Sequence, residues 1–126
     1  MTADRRLRVL LVDDDGPQLE MMRRILSSEG FDVETTESPI GVSNLARKFS
    51  PDVILLDVNI PALSGDQLIP VLRRNADGKR TRLVLFSACD PEHLRRLAGK
   101  VGADAWIEKG EDPGALAFRL RMICVA

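Results

Sequence analysis

Hydrophobic positions along this chain keep two alternating rhythms. Three unbroken runs, Val9-Leu10-Leu11-Val12, Val53-Ile54-Leu55-Leu56 and Leu83-Val84-Leu85-Phe86, each stop at a polar residue. Runs this short and this apolar read as strands buried on both faces, which calls for a parallel sheet covered by helices. Between them the apolar residues recur at helical spacing. Leu19, Met22, Ile25 and Leu26 follow Gly16-Pro17 and stop at Gly30; Val42, Leu45, Ala46 and Phe49 follow Ser38-Pro39 and stop at Ser50-Pro51. Leu68, Val71 and Leu72 mark a third helix to about Asn75. Leu94, Leu97, Ala98 and Val101 lie between Asp90-Pro91 and Gly102, and Leu116, Leu120 and Ile123 follow Asp112-Pro113. Proline just inside a helix and glycine just past it are the expected punctuation. Phe31 to Thr36 alternates as a more polar strand suited to a sheet edge, and Ala105-Trp106-Ile107 is a short fifth strand ending near Lys109.

Strand and helix thus alternate five times without repeat or linker. The expected fold is α/β, a parallel sheet doubly wound by right-handed crossovers, in one domain over residues 1–126. The fifth helix uses up the chain, so no output domain is expected within it. A formal charge of −1 gives no basic surface for direct nucleic-acid binding, and no segment nears the ~18 apolar residues of a membrane span. Met1 to Arg6 lacks the apolar core of a secretory signal, and Cys89 and Cys124 match no metal spacing. A cytoplasmic protein with two reduced thiols is expected.

Chemistry enters at the carboxyl ends of the strands, where open α/β sheets bind their ligands. The first strand runs into Asp13-Asp14-Asp15, the central one into Asp57, and the fourth into Ser87. Asp15 reads as a helix cap. Asp13, Asp14 and Asp57 should converge, and like charges that close need a cation between them. Oxygen-only donors without His or Cys select a hard ion, and Mg²⁺ suits a site that shares its ion with a phosphate. An aspartate beside Mg²⁺ is a nucleophile toward phosphorus, with Ser87 and Lys109 placed to bind phosphoryl oxygens.

Val12-Asp13-Asp14, Asp57 with Pro61 and Gly65 after it, Ser87-Ala88 and Lys109 together resemble the receiver domain of two-component response regulators, along essentially the whole chain. The resemblance implies a flavodoxin-like (βα)5 fold of strand order 2-1-3-4-5 and a phosphoacceptor at Asp57. It implies Mg²⁺ held by Asp14, Asp57 and the backbone carbonyl of Asn59, with Asp13 acting through metal-bound water. Ser87 stands at the switching hydroxyl, Trp106 at the aromatic switch position, and Lys109 pairs with the phosphoryl group. The implied partners are a sensor histidine kinase or phosphotransfer protein, and a downstream protein or a second copy. The output face would be the fourth helix, fifth strand and last helix. The implied chemistry is confined to the domain's own phosphorylation and dephosphorylation, so the chain is read as a signalling switch rather than an enzyme.

Three positions depart from the family, one of them mildly: Ile60 stands where methionine is frequent. Gly110 follows Lys109 where proline, commonly after a cis bond, is usual, so a trans Lys109–Gly110 bond is expected. Trp106 is large and lacks a hydroxyl. Both favour an alternative, a receiver-like interaction module that no longer switches by phosphorylation. A Mg²⁺-dependent phosphatase with an aspartate nucleophile would need an acid two residues after Asp57, where Asn59 stands. On the last helix Phe118, Met122 and Val125 form a second stripe roughly opposite the core stripe, and Phe118 and Met122 are the expected interface residues.

Overall fold

In the computed structural model, the residues described are 6–38, 42–57 and 81–125, excluding the side chain of Ser43. The expected third helix, Asn59, Pro61 and Gly65 lie outside them. The apolar runs form strands as their composition demands: β1 (Arg8–Val12), β3 (Val53–Leu56) and β4 (Arg82–Ser87). The polar second strand, β2 (Asp32–Thr36), lies at one edge, and β5 (Ala105–Glu108) at the other. All pairings are parallel, in the order β2-β1-β3-β4-β5, as the alternation and the resemblance lead one to expect.

The period of two along each strand divides the core into two layers. Val9, Leu11, Val53, Leu55, Val84, Phe86 and Ile107 face a layer completed by Leu19, Met22 and Leu26 of helix Gly16–Ser28 and by Leu116, Ala117 and Leu120 of helix Pro113–Val125. Leu10, Val12, Ile54, Leu56, Leu83 and Leu85 face the other way, against Val42 and Ala46 of helix Val42–Phe49 and Leu94 and Ala98 of helix Pro91–Val101. A strand buried on both faces has no polar side to turn outward, which is why these runs are unbroken. The last helix buries more than its three-residue stripe: Ala117 is enclosed, while Ile123 and Cys124 are only half-buried against the core. Phe31, read as the start of β2, precedes the strand and seats its ring in the core instead.

At the amino end of the sheet, side chains close the loops onto strand backbone. The amide of Arg8 donates to Asp52, that of Leu83 to Asp104, and the buried Thr81 hydroxyl to the carbonyl of Pro51. That rim is bound to itself, and the carboxyl rim is the one with acids to spare.

Helix Pro91–Val101 carries two glycines in opposite circumstances. Gly102, its cap, has φ +77 with nothing within 4 Å of an added Cβ, so its role is conformational. Gly99 is within the helix and has equally open surroundings. Gly102→Ala should therefore lose about 1–2 kcal/mol in urea unfolding, whereas Gly99→Ala should gain about 0.8–1 kcal/mol. Equal shifts for the two would contradict this assignment.

Candidate functional site

The sheet ladder runs one residue beyond the carboxyl ends of the strands and grips the charged groups by their backbones. The amide of Asp13 donates to Thr36, that of Asp57 to Val12 and that of Lys109 to Ser87, at 3.2, 2.9 and 2.9 Å. The side chains are thereby aimed from fixed points. Asp13 and Asp57 are buried and Asp14 is exposed, yet one oxygen of each lies within 4.8 Å of the others. The acids expected to converge do so.

Lys109 reaches into this group from the end of β5. Its ammonium is 2.7 Å from Asp13 Oδ2 and 3.4 Å from Asp57 Oδ2, and it lies 5.7 Å from the centre of the Phe86 ring. Burial works to raise the Asp13 carboxyl, but the hydrogen bonds donated by Lys109 and by the Asp15 amide outweigh it and hold Asp13 below its ordinary 3.8. The ammonium of a half-hidden lysine is thus the counter-charge to the acids. Asp13 is its nearer partner, whereas the sequence-based reading joined Lys109 to the phosphoryl site alone.

Asp15 caps helix Gly16–Ser28, its Oδ1 accepting from the Gln18 amide at 3.1 Å. It is the cap that its position before Gly16-Pro17 implied. Ser87 is fully buried at the end of β4, and its Oγ accepts from the Cys89 amide at 3.3 Å. Trp106 is half-buried against the layer of Leu83, Leu85, Leu94 and Ala98, and its carbonyl accepts from Arg119 at 3.2 Å. Gly110 has φ +104, which proline's ring, held near −65°, does not reach. There is no cis bond among the described residues, so the loop after Lys109 takes a path of its own. Asn59 lies outside the described residues. Sequence reasoning missed Gln18, whose Oε1 lies 3.3 Å from the Lys109 ammonium. The one available signal was its spacing, three residues after the cap.

Asp13, Asp14, Asp15, Gln18, Asp57, Ala88, Lys109 and Gly110 line one open cleft. It gathers oxygen donors around a bound cationic group, an arrangement suited to a hard cation and an anionic ligand together.

A family model described as the response regulator receiver domain matches residues 9–121. The phosphate regulon transcriptional regulatory protein PhoB of Klebsiella pneumoniae is 33% identical over 116 residues, 92% of this chain and 51% of that protein. The DNA-binding response regulator MtrA of Mycobacterium tuberculosis is 34% identical over 116 residues, 92% of this chain and 50% of that protein. The chain spans about half the length of the curated relatives it matches. Among solved structures, the chemotaxis protein CheY4 of Vibrio cholerae has a TM-score of 0.79 at 28% identity, covering 94% of this chain and 99% of that one. No helix of the described residues is long and apolar enough to cross a membrane.

The contacts of Lys109 predict how the site responds to acid. Asp13 titrates in the folded chain below its unfolded value of 3.8, so its contribution is present above that value and is lost as pH falls through the lower, folded one. Removing the ammonium strands buried carboxylates. Lys109→Met should therefore lose about 3 kcal/mol near neutral pH in chelated buffer, and the gap to the parent should close as Asp13 protonates. Urea unfolding at a series of pH values measures this. A gap that stays constant down to the acid limb would remove Asp13 as the partner.

Proposed function

Because the chain belongs to the response regulator receiver domain family, we propose that Asp57 carries its phosphoryl group. The observation that supports this most directly is the meeting of Asp13, Asp14 and Asp57 oxygens within 4.8 Å, with the Lys109 ammonium against two of these residues. The donor is the phosphohistidine of a sensor histidine kinase or of a phosphotransfer protein. An Asp57 oxygen attacks phosphorus, an O–P bond forms, the N–P bond of the donor breaks, and its imidazole leaves as the neutral ring after protonation from solvent. Lys109 then shifts its charge from the carboxylates to the new phosphoryl oxygens. The Ser87 hydroxyl, which accepts from the Cys89 amide, keeps its own proton to donate to one of them. The chain acts as a signalling domain, and its catalysis is confined to its own phosphorylation and dephosphorylation.

The donor set fits Mg²⁺. It consists of carboxylate oxygens with no imidazole or thiolate in the cluster, and two of the acids are held rigidly by strand backbone. Asp14 and Asp57, the Asn59 carbonyl, and Asp13 through a bound water would hold the ion. When present it neutralises charge on the transferring phosphoryl group. Asp57→Asn should abolish the mobility shift that acetyl phosphate and magnesium produce on a Phos-tag gel, and chelation should abolish it in the parent. A shift that survives in the variant would sink the assignment. No shift in the parent would favour the module that does not switch.

The outgoing signal uses the helix Pro113–Val125 face on which Phe118, Met122 and Val125 are 64%, 53% and 75% exposed. Large apolar side chains displayed in a stripe fit a protein partner, a downstream target or a second copy, meeting helix Pro91–Val101, β5 and the last helix. Ser87 and Trp106 bias that face by a shift of population. Phe118→Glu with Met122→Glu should leave phosphorylation intact and reduce association by at least about tenfold, the loss of about 1.4 kcal/mol of binding, in sedimentation or pull-down with the partner. Association equal to that of the parent would rule this face out.

A further inference from the structure

The ammonium of Lys109 has three donors, and three oxygens lie within hydrogen-bond reach of it: Asp13 Oδ2 at 2.7 Å, Gln18 Oε1 at 3.3 Å and Asp57 Oδ2 at 3.4 Å. Two of these belong to the acids that a divalent cation would take. The third is neutral and belongs to no acid. A 2+ ion about 5 Å from an ammonium repels it by several kcal/mol even at an effective dielectric constant of about 20. A cation entering among the acids would therefore loosen Lys109 from Asp13 and Asp57. Of these three oxygens, that of the Gln18 carboxamide is the one the cation does not contest.

Gln18 is suited to the task by its place in the fold. It lies in the first turn of helix Gly16–Ser28, with its backbone amide held by the capping carboxylate of Asp15 at 3.1 Å. Its side chain is half-buried along the wall of the cleft that the acids, Lys109 and Gly110 share. An acceptor on a capped helix end is held in place, whereas one on a loop would follow the lysine.

We infer that Gln18 is a positioning residue: its carboxamide holds the Lys109 ammonium while the carboxylates turn to a divalent cation, and so sets the affinity of the site for that cation. The inference rests on the cation-binding reading above and extends it to a residue outside the acid cluster. Lys109 and the cation compete for Asp13 and Asp57. The Gln18 contact is long at 3.3 Å while Asp13 holds the ammonium at 2.7 Å. It therefore strengthens only when the lysine is displaced, and that gain lowers the cost of cation entry. Without it the displaced ammonium would lose that acceptor and keep the Phe86 ring and solvent.

The test is a double-mutant cycle read by calorimetric titration with Mg²⁺ alone. Gln18→Met keeps length and helix propensity while removing the carboxamide. In the parent background it should weaken Mg²⁺ binding about five- to tenfold, the equivalent of one hydrogen bond of ordinary net strength. In a Lys109→Met background the same change should have no effect, because the group it positions is gone. Urea unfolding of each variant without magnesium separates a binding effect from loss of fold. Unchanged affinity in the parent background, or an equal loss in both backgrounds, would overturn the inference. A parent that takes up no Mg²⁺ at all fails the cation reading itself, and the inference falls with it.

Discussion

Everything at the carboxyl rim follows from one constraint: three carboxylates are held closer together than they would choose. Two unit charges about 4 Å apart interact with about 4 kcal/mol at an effective dielectric constant of 20, and Asp13, Asp14 and Asp57 bring oxygens within 4.8 Å of one another. Left to themselves these side chains would swing apart or take up protons. Asp13 and Asp57 cannot swing apart, since their backbones are still engaged in the sheet ladder and both side chains are buried. The repulsion is offset by Lys109, which lowers the Asp13 pKa against the pull of burial. A cleft that needs positive charge to be comfortable is ready to bind it.

The sheet bears this charge because its core is two-sided. Leu10, Ile54, Leu55 and Leu56 are at most 1% exposed, and complete burial of such a side chain contributes about 2 kcal/mol. A few central-strand residues therefore outweigh the strain gathered at their ends. The two rims divide the labour. Asp52, Asp104 and Thr81 at the amino end are engaged with backbone groups and serve the fold. The acids at the carboxyl end face one another and serve the ligand.

What could be read from the sequence depended on how local its physical cause was. The unbroken runs declared β1, β3 and β4 because a strand buried on both faces admits no polar break. Asp90 and Gly102 bracket helix Pro91–Val101 as cap and left-handed stop, because capping acts within a turn. Asp13, Asp14 and Asp57 were legible as strand-end acids, since fold class alone brings those ends together. Gln18 was not. Its role depends on the lysine of β5 reaching across the rim, ninety-one positions along the chain, and an amide in a first helical turn has no pattern of its own. The resting partners of Lys109 were not legible either, because which of two neighbouring acids lies nearer is decided by tertiary geometry. Proline's absence after Lys109 was plain to see, but the positive φ that excludes proline there appears only in the folded loop.

Arg119 lies between the loop after Lys109 and the exposed stripe of the last helix. It pairs with Glu111, in the loop just beyond Lys109 and Gly110, and it donates to the carbonyl of Trp106 on β5. One guanidinium thus ties three things together: the loop carrying the counter-charge, the strand carrying the aromatic side chain, and the helix displaying Phe118 one residue away. A ligand changes an outer face only if two arrangements of the intervening groups differ in free energy by an amount the ligand can supply. Moving Lys109 from the carboxylates to a phosphoryl group alters the loop at its root. Arg119 is the point where that alteration meets the helix, because its planar fork holds both contacts in fixed relation. The half-buried Trp106 side chain packs against the layer that contains Leu85 and Leu94, so any movement of it would repack that layer. A switch of the kind proposed would rearrange β5 and its two ends, driven by the same charge balance that holds the acids together at rest.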